Sequence, residues 1–405
     1  MKTVGIIAEY NPFHNGHLYQ LNKAREITGA DYCIVVMSGD FTQRGTPAVF
    51  DKYIRCRMAL LAGADLVIEL PVVYATASAE TFAMGAVSLL NALGVDALCF
   101  GSECGDLTPL QEAADILLSE PPAYKSRLSS LLKSGLSYPA ARAAALSGCL
   151  NVTQEVLASP NNILGIEYLK ALSGLTLKGK QVMTPFTIKR EGEGYLSRTL
   201  QKGSFCSAMA LRERMLHGEY DLKEYIPEEC FPLFSETCEK KIALCADDFS
   251  PILLEKLLSS HAEGYTAYLD VSKDLSDKIR NTLFSFTSFS DYCENILKTK
   301  DLTLTRVYRT MLHILLSIQD TQIPLFSPYA HLLGFRESAS PVLNLLSAGE
   351  IPVIARKKDA DSLNKEEAKQ CLSKDLYAAH LYESVRMQKD GCPMIHEFSR
   401  PVIRI

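Results

Sequence analysis

Two imidazoles three positions apart carry the clearest chemical signal in this sequence, in the run Tyr10-Asn11-Pro12-Phe13-His14-Asn15-Gly16-His17. They directly follow Val4-Gly5-Ile6-Ile7-Ala8, a continuous apolar run of the buried-strand kind. An amphipathic stretch from Gly16 to about Thr28 comes next. In a parallel sheet, ligands bind beyond the carboxyl ends of the strands, beside helix N-termini. There a helix offers unpaired N–H groups and the positive end of its dipole to an anion, and Gly16 lets the backbone come close. Two imidazoles at that point can donate to phosphate oxygens while charge builds on departing pyrophosphate. This suits nucleotidyl transfer, in which positioning and charge stabilisation supply most of the catalysis. The plainer alternative is a pair of histidines that cap or pack a helix. A zinc pair has no evident third ligand.

The elements that must hold these residues alternate. Strands are expected at 31–37, 65–70 and 97–101, with helices over about 50–62 and 79–93 between them. Continuous apolar strands separated by helices require parallel strands covered on both faces. Right-handed crossovers then wind them into an open α/β sheet, doubly wound. Residues 107–158 read as a helical insertion rich in Ala, Leu and Ser. Ser159-Pro160-Asn161 begins a helix by the cap and first-turn proline rules. A last strand falls at 182–189, and Gly192, Gly194 and Gly203 mark a mobile loop before Ser207 caps a helix over 208–216. Beyond residue 219 the pattern is mostly helical and ends in a small α/β unit, a strand at 351–355 and a helix at 365–388. The expected division is a nucleotide-binding domain over 1–220 and a C-terminal region over 221–405.

Composition narrows the class. With 47% hydrophobic and 22% charged residues the chain is not disordered. A net charge of -5 argues against a protein coated in basic residues, while leaving room for a local basic patch. The twelve cysteines form no C-x-x-C pair and read as reduced thiols. The most apolar stretch, 58–74, carries Asp65, Glu69 and Pro71 and cannot span a bilayer. The expected location is cytoplasmic, away from membranes.

The His14-Asn15-Gly16-His17 run resembles the signature of the (H/T)xGH nucleotidyltransferase superfamily. Glu9 stands where Thr or Ser is usual there, and Asn11 replaces an Asp. Those departures, with Ser38-Gly39-Asp40-Phe41-Thr42-Gln43-Arg44-Gly45, are similar to one branch, the bacterial tRNA(Met) cytidine acetate ligases. Gly101-Ser102-Glu103, Ser159-Pro160-Asn161-Asn162-Ile163-Leu164-Gly165 and Ile188-Lys189-Arg190 followed by Gly194-Tyr195 extend the resemblance over most of 1–215.

The resemblance implies that acetate and ATP form acetyl-adenylate and pyrophosphate, and that the acetyl group passes to the wobble cytidine of elongator tRNA(Met). It implies an ATP-binding segment of Ile7, Ala8, Glu9, Tyr10, Asn11, Pro12, Phe13, His14, Asn15, Gly16, His17, Leu18, Tyr19 and Gln20, with His14 and His17 catalytic at the phosphates. Gly101 would admit adenosine, and Asn162 and Arg190 would complete the pocket. Ser207 to Arg212 resembles a second signature that closes over phosphates, although Met209 lacks a hydroxyl frequent there. Alternatives stay open: Asn162 and Ser207 as plain helix caps, Arg190 and Arg212 as solvated charges. Mg2+ is expected with ATP. For tRNA, the most compact basic cluster is Arg356, Lys357 and Lys358, with Lys298, Lys300, Arg306, Arg309, Arg400 and Arg404 as further candidates, and Tyr308 and Tyr329 as stacking groups. Two rival functions are an adenylyltransferase making a nucleotide cofactor and a non-catalytic nucleotide- or RNA-binding protein.

Overall fold

The computed structural model describes residues 1–150, 152–190, 206–240, 242–300 and 302–405. Gly192, Gly194, Tyr195 and Gly203 lie outside them. Five parallel strands form the centre: β1 (Thr3–Ala8), β2 (Tyr32–Ser38), β3 (Leu66–Leu70), β4 (Ala97–Ser102) and β5 (Thr184–Lys189). β2 is wholly buried from Cys33 to Ser38, as a strand covered on both faces must be. The helices between them start and stop on recognisable residues. α1 (Asn15–Thr28) ends on Gly29 at a left-handed φ of 63°. α2 (Lys52–Leu61) begins where the Asp51 carboxylate accepts the Ile54 N–H at 2.8 Å. The short α3 (Val72–Ala75) leads to α4 (Ala79–Ala92), capped by Ser78.

The insertion folds as α5 (Leu107–Ser119), α6 (Pro122–Lys133), α7 (Tyr138–Ser147) and α8 (Gln154–Ala158). α9 (Pro160–Leu177) follows, starts on its proline, and packs against α4 and α5. After β5 comes α10 (Ala208–Leu216).

Among the described residues, the rest of the chain does not build a sheet of its own. Helices α11 (Phe231–Glu239), α12 (Ser250–Ser259), α13 (Lys273–Thr282), α14 (Phe289–Asp291) and α15 (Leu304–Leu315) lead to β6 (Ala330–Phe335). β6 runs antiparallel on the open edge of β3, with His331 opposite Glu69. α16 (Ser340–Ala348), β7 (Val353–Ile354), α17 (Lys357–Asp361), α18 (Glu366–Asp390) and β8 (Ile403–Arg404) complete the chain. The sheet order is β5-β4-β1-β2-β3-β6-β7, with β8 also pairing β6. The strand and helix expected near the end are therefore present, but as an extension of the first sheet.

A buried ionic network joins the two halves. Lys52, 1% exposed, donates to both Glu69 oxygens at 2.8 Å and lies 2.5 Å from Glu397. His331 Nδ1 is 2.6 Å from Glu69, and the Tyr53 hydroxyl donates to Glu397 at 2.8 Å. Burial pushes the Glu69 carboxyl up, but Lys52 and the His331 hydrogen bond outweigh it and hold it at about 2. Glu69, His331 and Glu397 offer ligand atoms within 4.8 Å of one another, and the Lys52 ammonium supplies the cation such a cluster needs. Removing it leaves two buried carboxylates uncompensated. Lys52→Met should cost about 3–5 kcal/mol, read as a lowered urea midpoint. An unchanged midpoint would show that the network is not what couples the halves.

Candidate active site

The loop after β1 is shaped from below. Tyr10 adopts a left-handed φ of 48° where the chain leaves the strand, and the Asn11–Pro12 peptide is cis. The Asn11 side chain accepts the Val49 N–H at 2.8 Å, and its carbonyl accepts from Arg212 Nη1 at 2.6 Å. Phe13 is fully buried and packs edge-on against Tyr10. His14 thereby arrives, extended, as the N-cap of α1.

The two imidazoles then fix each other. His14 Nδ1 accepts the Gly16 N–H at 3.0 Å, and His17 Nδ1 accepts the His14 N–H at 3.3 Å. The rings stack with centroids 3.8 Å apart. Because each Nδ1 accepts, each proton sits on Nε2, and the pair presents two N–H donors. Burial, reinforced by Arg190 and Arg212, lowers His14 to about 3. Burial, then His14 and Arg190, pushes His17 well below the ordinary imidazole range. Both rings are neutral donors. One sequence expectation changes: the Gly16 N–H is satisfied by His14 rather than left for a phosphate. Capping and phosphate chemistry are also not exclusive alternatives here, since one nitrogen caps and the other remains.

A cavity of about 290 Å³ lies over the carboxyl ends of β1 and β4. Ile7, Ala8, Glu9, Tyr10, Asn11, His14, His17 and Gln20 line it, and Gly16 and Tyr19 line its continuation toward β5. Of the expected segment, Pro12, Phe13, Asn15 and Leu18 do not line it; Asn15 instead donates to the Glu224 carbonyl at 2.9 Å. Gly101, Arg190, Ser207 and Arg212 line it together. A Cβ on Gly101 would lie 3.3 Å from Arg190 Cγ, so the missing side chain lets Arg190 lie across β4. Ser207 is the N-cap of α10, accepting the Ala210 N–H at 3.1 Å, and it lines the cavity as well. Met209 contributes to the wall.

Asn162 is placed differently. It is fully buried, accepts the N–H groups of Glu103 and Cys104 at 2.9 and 3.3 Å, and donates to the Val156 carbonyl at 2.8 Å. Glu103 in turn accepts the backbone N–H groups of Asn161 and Asn162. The side chain of Asn162 thus holds the turn after β4 from behind, and Asn161 is the neighbour that faces the cavity.

Two supporting roles escaped the sequence reading. Glu9, where a hydroxyl residue is usual, accepts the Gln43 N–H at 2.9 Å and so ties the loop after β2 to β1. Arg55 is buried on α2 and donates to the carbonyls of Phe50, Glu9, Ser38 and Gly39. Its only sequence signal is an arginine among the largely apolar residues of the helix expected over 50–62.

The basic candidates fall into separate groups. Arg356 is 78% exposed and begins α17, beyond β7 at the far edge of the sheet. That edge is four strand steps from β1, ~19 Å at ordinary strand spacing, so Arg356, Lys357 and Lys358 do not border the cavity. Tyr308 and Tyr329 are buried and donate to Glu294 and Asp375, which removes both as stacking surfaces. Arg309 is held by Asp270 at 3.4 Å, Arg400 by Glu383, and Arg404 lies over the Phe335 ring. Lys298 and Lys300 are exposed and, with the half-buried Arg306, sit at the start of α15. That helix supports the loop after β2, since a Cβ on Gly45 would lie 2.3 Å from Arg309 N.

A profile of the family described as HIGH Nucleotidyl Transferase matches residues 1–392. The chain is 42% identical over 390 residues to the tRNA(Met) cytidine acetate ligase of Thermoanaerobacter sp. (strain X514), covering 94% of this chain and 95% of that protein. It is 41% identical, over the whole of both chains, to the protein of that name from Caldanaerobacter subterraneus subsp. tengcongensis. The chain belongs to the HIGH nucleotidyl transferases, in the tRNA(Met) cytidine acetate ligase family. Its fold matches the crystal structure of Thermotoga maritima TmcAL with a TM-score of 0.90 at 31% identity, over all of both chains. The same Thermotoga maritima protein bound with alpha-thio ATP matches with a TM-score of 0.88. This nucleotidyl transferase thus has the fold of a relative that holds an ATP analogue.

The neutral histidines carry a measurable consequence. Unfolding returns them to the ordinary value near 6.5, whereas the folded chain keeps His14 unprotonated down to about 3. Stability without ATP should therefore fall as pH drops below about 6.5, by ~1.4 kcal/mol per pH unit for each histidine. Urea titrations should show a flatter acid limb for a His14→Asn, His17→Gln double variant. Parallel acid limbs would mean that the rings are protonated in the folded state.

Proposed function

We propose that this protein is an ATP-dependent tRNA-modifying ligase that acetylates the wobble cytidine of elongator tRNA(Met). The observation that carries this reading is the pair of neutral Nε2–H donors at the mouth of β1, in a chain of this family along its whole length. An acetate oxygen attacks the α-phosphorus of ATP, and the bond to the pyrophosphate oxygen breaks. Negative charge grows on the leaving pyrophosphate, where His14, His17, Arg190 and Arg212 converge. Donors that meet charge as it develops lower the barrier rather than merely binding substrate. The cytidine amine then attacks the acetyl carbonyl carbon, the bond to AMP breaks, and the amine releases a proton. A mixed anhydride is needed because cytosine's amine is a weak nucleophile and acetate a poor acyl donor.

Mg2+ fits this site only as a companion of the triphosphate. Among the described residues that line the cavity, the sole carboxylate is Glu9, already engaged by the Gln43 N–H. That donor set is not a resident magnesium cage.

In ATP–pyrophosphate exchange, His17→Ala should lower the acetate-dependent rate on the order of 10²–10³ while the protein stays folded. Wild-type exchange rates in that variant would remove His17 from the chemistry. Exchange that requires a mononucleotide instead of a carboxylate would favour cofactor synthesis.

The RNA surface fits best beside α15. Charge reversal at Lys298 and Lys300 should weaken tRNA acetylation in a salt-dependent way and leave acetyl-adenylate formation intact. Reversal at Arg356, Lys357 and Lys358 should change neither half-reaction. The opposite pattern would return the RNA to the far edge of the sheet.

A further inference from the structure

The motif from Ser38 to Gly45 carries resemblance but no role in the nucleotide chemistry described so far. In the structure it forms a tight hairpin after β2. Phe41 bridges Pro47, the Thr42 N–H donates to the Thr46 carbonyl at 3.0 Å, and the Gly45 N–H returns to Thr42 at 3.0 Å. The Ala48 N–H closes the base on the Asp40 carbonyl at 2.8 Å. Phe41 is fully buried between Phe249 and Tyr382. At the tip, Gly45 has a φ of +82° and rests on the backbone of α15, leaving no room for a Cβ. The Glu9 carboxylate pins the Gln43 N–H from the other side. The two residues at the tip that line the cavity are Gln43 and Arg44.

Three arginines line this cavity among the described residues. Arg190 follows β5 and Arg212 lies on α10, and both are near enough to His14 to act on its charge. Arg44 alone comes from the β2 side. α4, which packs chiefly on α9 and also touches β2 and β3, brings Ala79 and Phe82 at its N-terminal end into the cavity lining. A guanidinium and a side-chain amide therefore enter the cavity from the β2 side, and Ala79 and Phe82 add a small apolar surface to its lining. A carboxylate that must attack a triphosphate meets strong like-charge repulsion, and a cation of its own relieves it. A guanidinium also matches a carboxylate geometrically, through two parallel hydrogen bonds.

We propose that Arg44 and Gln43 hold the small carboxylic acid substrate, with Arg44 pairing its carboxylate and Ala79 and Phe82 limiting its alkyl end. This rests on the acid-activating reading above. The rigidity of the hairpin matters because an attacking oxygen must be held within a few tenths of an ångström of its path.

The test is acetate-dependent ATP–pyrophosphate exchange on the full-length protein, with acetate and ATP varied separately, alongside tRNA acetylation. Arg44→Gln should raise KM for acetate about ten- to a hundredfold, the worth of a hydrogen bond to a charged group. KM for ATP should stay within about twofold, since only acid binding is removed. Arg44→Lys keeps the charge but loses the fork, and should raise KM for acetate by a smaller factor; it serves if Arg44→Gln does not fold. Unchanged KM for acetate in the folded variants overturns the proposal, and if tRNA acetylation alone is lost, Arg44 meets RNA. A joint rise in both KM values also overturns it, placing Arg44 in the nucleotide site. Failure of the broader reading looks different: wild-type protein would then show no exchange with acetate or any other small carboxylate.

Discussion

Beneath the site lies a guanidinium held by carbonyl oxygens, and the arrangement above it depends on that contact. Arg55 is fully buried and bonds the main-chain oxygens of Glu9 at the end of β1, of Ser38 and Gly39 at the end of β2, and of Phe50 before its own helix. Carbonyls at the ends of parallel strands have no further ladder partner and cost free energy if buried unpaired. One rigid five-donor fork satisfies several at once. The two loops that rise from those strands, one carrying His14 and His17 and the other Gln43 and Arg44, therefore keep a fixed separation. Lysine in place of Arg55 would bring charge without the planar geometry.

Electrostatics in the cavity follow from how few charges are left loose. The histidines are neutral because burial disfavours a proton on them, reinforced by Arg190 and Arg212 at His14 and by His14 and Arg190 at His17. Each gives one nitrogen to the backbone, so neither ring can turn without breaking a cap. Preorganised neutral donors avoid the cost of desolvating a cation, and they gain most where charge is newest. Glu9 would be out of place facing a triphosphate. Its bond to the Gln43 N–H gives the carboxylate another task, and accounts for a residue that departs from the common motif.

The parallel core was legible because its signal is local. The apolar runs at β1 to β4 are continuous, bounded by Gly, Asp or Pro, and separated by capped helices, and His14 to His17 follows β1 as the strand–turn–helix pattern demands. β6 was not legible. Ala330-His331-Leu332-Leu333-Gly334-Phe335 has no β-branched residue, and its strand character comes from the open edge of β3, some 260 positions earlier in the chain. The resemblance implies a nucleotide role for Asn162 with a plain cap as the alternative, and its side chain serves the turn after β4, because spacing cannot tell a wall from the support behind it. Arg356 to Lys358 stood out as a compact run of charge, yet only strand order reveals how far it lies from the cavity. Lys52 and Arg55 left no trace beyond being charged residues in a buried helix, since their partners are distant in sequence or belong to the backbone.

The antiparallel seating of β6 on β3 also bears on how the chain is made. When β1 to β5 have left the ribosome, the edge of β3 is still bare, and residues 330–335 follow roughly 140 positions after β5. At ~5–20 residues per second, that interval lasts on the order of ten seconds. For that time the nascent protein displays an unpaired, apolar strand edge, the standard template for association with other chains. Lys52 meanwhile has Glu69 beside it but awaits Glu397, its second carboxylate partner. The first half of this protein is thus a sheet with a raw margin. A chain cut short before residue 330 would keep that edge bare, and one cut between 336 and 397 would cover it but leave Lys52 without Glu397.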